Sequence, residues 1–128
     1  MPYAPITITS GKFVKTTAFF EKLSRFKVLE ILNRYGQMGV EALRSVTPTD
    51  SGVTAASWYY TTGQQNSQYY LDFHNSHVED GVPIAIILQY GHGTRTGGYV
   101  AGRDYINPVI KPIFDRILED VRREVKAL

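Results

Sequence analysis

Ile84-Ala85-Ile86-Ile87-Leu88, entered through Pro83 and left through Gln89-Tyr90-Gly91-His92-Gly93-Thr94, is the segment that sets the expected architecture. Five apolar residues in a row, three of them isoleucine, predict a strand buried on both faces and therefore lying inside a sheet. The next stretch is of another kind. From Gly91 to Arg103 the chain has five glycines, two arginines (Arg95 and Arg103) and no aliphatic residue except Val100 and Ala101. That composition predicts an arm over 91–104, carrying Tyr99, that projects from the body and orders against a partner.

Moving back from this segment, Glu79-Asp80-Gly81 reads as a turn, and two alternating runs precede it. In 54–62, Ala56, Trp58 and Tyr60 face one way and Ser57, Tyr59 and Thr61 the other. In 68–74, Tyr69, Leu71 and Phe73 oppose Tyr70, Asp72 and His74. The polar link from Gly63 to Ser67 makes the two runs an antiparallel hairpin. Further upstream the period changes to that of a helix over 19–47, with Val28, Ile31, Leu32, Tyr35, Met38, Ala42 and Val46 on one stripe. Thr16 or Thr17 is the expected N-cap and Pro48 the stop. Gly36 and Gly39 inside the stripe mark a bend or the close approach of another backbone. Residues 1–18 read as an extended arm with a weak alternation around Ile6 and Ile8.

Downstream of the arm, Tyr105-Ile106-Asn107-Pro108 opens a helix over 107–127, with its stripe on Ile110, Ile113, Phe114, Ile117, Val121 and Val125. The expected fold is a single α+β domain. A long N-terminal helix, a small antiparallel sheet of three to four strands within 53–90, the glycine-rich arm and a C-terminal helix packed on one sheet face make it up. The other sheet face, with Tyr59, Tyr70 and Ile87, is left partly apolar, and a monomer tolerates that poorly. Trp58, Tyr59 and Tyr60 therefore belong in or beside an interface, together with the arm.

Composition narrows the function. The chain has 128 residues, is 43% hydrophobic and 20% charged, and so suits one globular domain. Nine tyrosines suit surfaces that become buried against other subunits. There is no cysteine, which excludes disulfides and thiolate sites. No signal peptide or membrane-spanning run is visible, so a soluble protein made in the cytoplasm is expected. The formal charge of +2 does not by itself imply nucleic-acid binding, although Lys12, Lys15, Lys22, Arg25 and Lys27 against Glu21 make the first quarter basic.

Catalytic and metal chemistry fit poorly. His74 and His77 are three apart, which on a strand points them to opposite faces, and His92 is remote in sequence. The glycine arm lacks the lysine followed by serine or threonine of a phosphate-binding loop. Ser51 sits in a proline, aspartate and glycine turn rather than a nucleophile elbow. No spacing fixes Asp72, Glu79, Asp80 and Asp104 as a carboxylate pair. The expectation is a non-enzymatic protein with no metal and no cofactor.

Three segments together resemble a known family. Thr47-Pro48-Thr49-Asp50-Ser51-Gly52 after a long helix, with Ala56-Ser57 beyond, is similar to the "T-P-x-x-T-G-x-L-x-x-S" signature of the small neck and tail-completion proteins of long-tailed bacteriophages. Ile84 to Thr94 resembles that family's "Y-A-x-x-x-E-x-G-T", and Tyr105-Ile106-Asn107-Pro108-Val109 its "P-F-L-R-P-A". The resemblance covers residues 20–128. Gln89 stands where the family has an acidic residue and Asn107 where it has arginine, so an amide hydrogen bond replaces any ion pair there.

The resemblance implies a virion structural protein, tail-terminator-like, that forms a homo-oligomeric ring of six at the head–tail joint. Its implied partners are the connector or stopper and the tail-tube or terminator proteins, with no membrane. Arg95, Arg103 and the basic N-terminal segment would meet neighbouring carboxylates or, without sequence preference, DNA in the lumen. The interface set is Trp58, Tyr59, Tyr60, Tyr70, Ile87, Gln89, Tyr90, Gly91, His92, Gly93, Thr94, Arg95, Tyr99 and Arg103. A reading of a different class is a small nucleic-acid-binding module that uses the basic face and exposed Tyr69 and Tyr70 as stacking groups.

Overall fold

A computed structural model of the chain describes residues 6–9 (as backbone), 24–48, 52–65, 68–93 and 96–128. The expected α+β class holds, with two long helices and small antiparallel sheets. Helix α1 (Arg25–Val46) begins where Ser24, in extended conformation, accepts a hydrogen bond from the Lys27 N–H and so caps it, while Thr16 and Thr17 lie outside the described residues. It ends at Thr47, immediately before Pro48. The expected elements within 1–5 and 10–23, and the centre of the Thr47–Gly52 turn, lie outside the described residues.

A one-turn helix α2 (Val53–Ala56) comes next, where a strand was expected to begin. Its carbonyls are closed locally: Ser57 returns its N–H to Thr54 O and its hydroxyl to Val53 O. Strand β2 (Trp58–Gln65) then pairs with β3 (Gln68–Asn75) in antiparallel register, Tyr60 opposite Phe73 and Thr61 opposite Asp72. On the far side of β3 lies β1 (Ile6–Thr9), so the sheet order is β1-β3-β2. Burial alternates along β3: Tyr69, Leu71, Phe73 and Asn75 turn toward the helices, while Tyr70, Asp72 and His74 turn away. A small hairpin of β4 (Val78–Glu79) and β5 (Val82–Pro83) turns through Asp80-Gly81, both at positive φ.

The central-strand expectation fails at 84–88. Ile84 to Tyr90 forms helix α3, and β3 is the centre of the sheet. A short apolar run carries no period that separates a buried strand from a buried helix, and here the flanks decide. Pro83 precedes the helix, and Gly91, at φ +84, ends it in a conformation that favours glycine. Ala85 and Gln89, four residues apart, form the buried side. Ile87 is therefore on a helix and not on the sheet face.

Helix α4 (Asn107–Lys126) lies along α1 and reaches the sheet through Phe114, whose ring meets Phe73 edge-on. The core joins Val28, Ile31, Leu32 and Leu43 of α1 to Leu71 and Phe73 of β3 and to Ile110, Ile117 and Val121 of α4. Gly36 and Gly39 form a notch in α1 for two sheet aromatics rather than for another backbone. A Cβ on Gly36 would stand 2.4 Å from Tyr60 Cδ2, and one on Gly39 2.3 Å from Phe73 Cζ. Along the outer seam of α1 and α4, Asp120 accepts the Tyr35 hydroxyl and pairs with Arg34 at 3.7 Å and Arg123 at 3.2 Å. Burial, and then the hydrogen bond to Asp120, raise the Tyr35 pKa.

Candidate functional site

The glycine-rich segment is itself a hairpin. Strand β6 (Gly91–Gly93) pairs with β7 (Tyr99–Ala101), Gly91 opposite Ala101 and Gly93 opposite Tyr99. The arm pairs with itself, and the Tyr99 hydroxyl, which donates to Tyr90 O at 2.9 Å, ties the strands across their base. The hairpin remains outside the core. Tyr99 is 68% exposed, Tyr90 65% and Val100 48%. Thr94 and Arg95 lie outside the described residues.

The root of this hairpin is fixed on two sides. Gln89, 6% exposed, uses its side-chain oxygen to accept the backbone N–H of Tyr105 (3.0 Å) and Ile106 (3.1 Å), and its nitrogen to donate to Asp104 Oδ1 at 2.6 Å. The same Asp104 oxygen accepts Asn107 Nδ2 at 3.1 Å, so Gln89 and Asn107 meet through a shared carboxylate. Gln89 thus caps the start of α4 from a distance, satisfying donors that a helix N-terminus leaves open. Tyr105 donates its hydroxyl to Ala85 O at 2.8 Å, and burial pushes its pKa up to about 12. On the other side, Arg103 donates its N–H to Leu88 O and its guanidinium to Val46 O, at the end of α1. Gln89 is therefore a support of the hairpin and not a contact surface.

The tyrosine face divides. Trp58, 1% exposed, is core: its indole N–H donates to Thr47 Oγ1 at 2.8 Å, and that hydroxyl donates to Leu43 O. It leaves the interface set. Tyr60 is half-buried over the α1 notch. Tyr59 is 38% exposed on the outer sheet face, stacked on His74 with ring centroids 4.9 Å apart, and His74 Nε2 shares a hydrogen bond with Thr61. Tyr70 shares that face and lies over Gly63. Tyr69, expected as an exposed stacking group, is buried.

An open groove of about 470 Å³ runs between α1 and β2, with Gln37, Val40, Glu41 and Arg44 on the helix side and Trp58 to Tyr60 on the strand side. Nothing in the sequence marks it, because its two walls are separate elements that meet only once β2 pairs with β3. It borders an open sheet edge: β2 pairs with β3 alone, and among the described residues no other backbone hydrogen bond reaches 59–65.

A second polar chain has no signature in the sequence either. Thr54 Oγ1 lies 2.7 Å from His77 Nδ1, and His77 Nε2 lies 3.0 Å from Glu79 Oε1. Asn75 closes it, donating to Thr54 O and accepting the His77 N–H. The order of groups is that of a nucleophile, a base and an orienting carboxylate. Thr54 is only 2% exposed, and these bonds tie α2 to the β3–β4 corner. His74 and His77 engage different partners, and among the described residues no group of three metal-capable side chains converges. Nor, among them, is any helix long and apolar enough to cross a membrane.

No family model matches the chain, and searches of curated proteins and of solved structures return no match.

Proposed function

We propose that the chain is a non-enzymatic virion structural protein, a neck or tail-completion protein that forms a ring of copies at the head–tail joint of a long-tailed bacteriophage. One observation carries the reading: Tyr90 at the end of α3 and Tyr99 and Val100 on the β6–β7 hairpin stand out in solvent while Gln89 and Arg103 anchor the hairpin's root. An anchored element that presents aromatic side chains to solvent is suited to contact with another subunit, where tyrosine is enriched. The resemblance of the Thr47–Gly52 turn, the 84–94 segment and the 105–109 segment to that family supplies the setting. In it, the ring docks the connector or stopper on one side and the tail tube or terminator on the other, and any contact with DNA in the lumen is independent of sequence.

The proposal is tested on particles. A phage lacking this chain should accumulate DNA-filled heads and separate tails, and intact particles should contain a small, fixed, ring-sized number of copies. Normal joined particles without the chain would end the proposal. The nucleic-acid-binding alternative loses support from the burial of Tyr69 and from Asp72 on the outer sheet face. Salt-dependent retention of single-stranded DNA on a filter would revive it.

A further inference from the structure

Resting on the ring reading, we infer that the groove between α1 and β2 receives the β6–β7 hairpin of a second copy of this chain. The two features are complementary, and among the described residues neither is covered within one molecule. The hairpin has strands of three residues each, and a two-stranded ribbon that short is marginal in water without a surface to lie on. The groove offers the half-buried Tyr60 on its strand side and, beside it, a β2 edge that no other described strand takes up, to which an extended strand can add.

Charge permits the insertion. The described strand residues of the hairpin carry no Lys, Arg, Asp or Glu, and the groove carries one acid and one base, Glu41 and Arg44, both exposed at its helix side.

Area explains why the occupant is another copy acting in a closed set. Covering Tyr99 and Val100 on the hairpin and Tyr90 at its root, the two tyrosines each about two-thirds exposed, buries roughly 300 Å² on the donor side. A stable pairwise interface needs about 800 Å² per partner. A single contact is too small to hold a pair, whereas a copy that both gives a hairpin and receives one gains two contacts as the assembly closes.

The chain contains no cysteine, so introduced ones are its only thiols. A101C places one on the hairpin, leaving Tyr99 in place, and Q37C one in the groove, both at exposed positions, and melting temperature verifies that each variant folds. Mixed and treated with a short bis-maleimide, A101C and Q37C should give an intermolecular dimer that neither gives alone, and the double variant should give a ladder of cross-linked multimers. Three results overturn the inference. Cross-linking of A101C to itself would mean hairpins meeting hairpins. A link formed only within one chain of the double variant would mean that the hairpin covers its own groove. Absence of any link while native mass spectrometry still shows the wild-type chain in a closed assembly removes this contact and leaves the ring, whereas a wild-type chain that is monomeric at every concentration, with no link, removes both.

Discussion

The Gln89 side-chain nitrogen stands 2.6 Å from Asp104 Oδ1 while its oxygen takes the N–H groups of Tyr105 and Ile106. Only a carboxamide fits, because one end must donate and the other accept. Gln89→Glu should cost about 1 to 3 kcal/mol at neutral pH, since a second carboxylate faces Asp104. The loss should shrink on acidification, when a protonated carboxyl can donate again. Gln89→Leu leaves two helix-start donors open and should cost about 2 to 4 kcal/mol at any pH. Urea unfolding at two pH values separates the two variants.

Tyr105 gives the fold an alkaline limit. Its pKa rises from the ordinary 10 to about 12 through burial, so above pH 10 the unfolded chain releases a proton that the folded chain keeps. Stability contributed by this group is therefore level below pH 10 and declines as pH rises from 10 to 12, by up to roughly 3 kcal/mol in total. Tyr35, also raised, adds to the same decline. Tyr105→Phe should make the alkaline limb shallower while losing about 1 kcal/mol at neutral pH with the bond to Ala85 O. Thermal melts across the alkaline range, beside tyrosinate absorbance, measure both effects.

The notch in α1 predicts an order of damage. Gly39→Ala drives a methyl into the fully buried Phe73 ring and should cost about 1 to 3 kcal/mol, outweighing a helix-propensity gain of up to about 1 kcal/mol. Gly36→Ala meets Tyr60, which is only half-buried and can shift toward solvent, so its loss should be the smaller. Equal losses at the two positions would contradict this account.

Thr47→Val removes the acceptor of the Trp58 indole and leaves a buried N–H without a partner. A loss of about 1 to 3 kcal/mol is expected, with a change in tryptophan fluorescence, because Trp58 is the chain's single tryptophan.

Val100→Ser separates folding from assembly. The side chain is about half exposed and outside the core, so stability should change by no more than about 0.5 kcal/mol, while sedimentation should show the proposed oligomer reduced or lost. A large drop in melting temperature would place Val100 in the monomer's own packing instead.

Much of the fold is legible in the sequence because its signals are local. The two-residue alternation through Tyr69, Leu71 and Phe73 and the helical stripe through Ile110, Ile117 and Val121 both appear in burial as expected. The run at 84–88 misleads because its isoleucines favour a strand, while Pro83 and Gly91, the markers of a helix start and stop, carry the better information. Trp58 belongs to the core and not to the surface, and alternation cannot tell the two apart: it says which residues share a face, not which face the helices cover. The Gln89 network is partly visible. Gln89 and Asn107, standing where the resembled family has an acid and an arginine, suggest an amide bond, but the bridging Asp104 is found only once the chain folds. The groove joins elements distant in sequence and leaves no trace in it.

The Arg103 guanidinium rests on Val46 O, the last turn of α1, and α1 in turn seats two sheet aromatics in its notch. Tension on the hairpin therefore passes through the long helix into the sheet instead of being absorbed by a compliant tether. In the proposed ring, a pull on the hairpin would be borne by the subunit's own core.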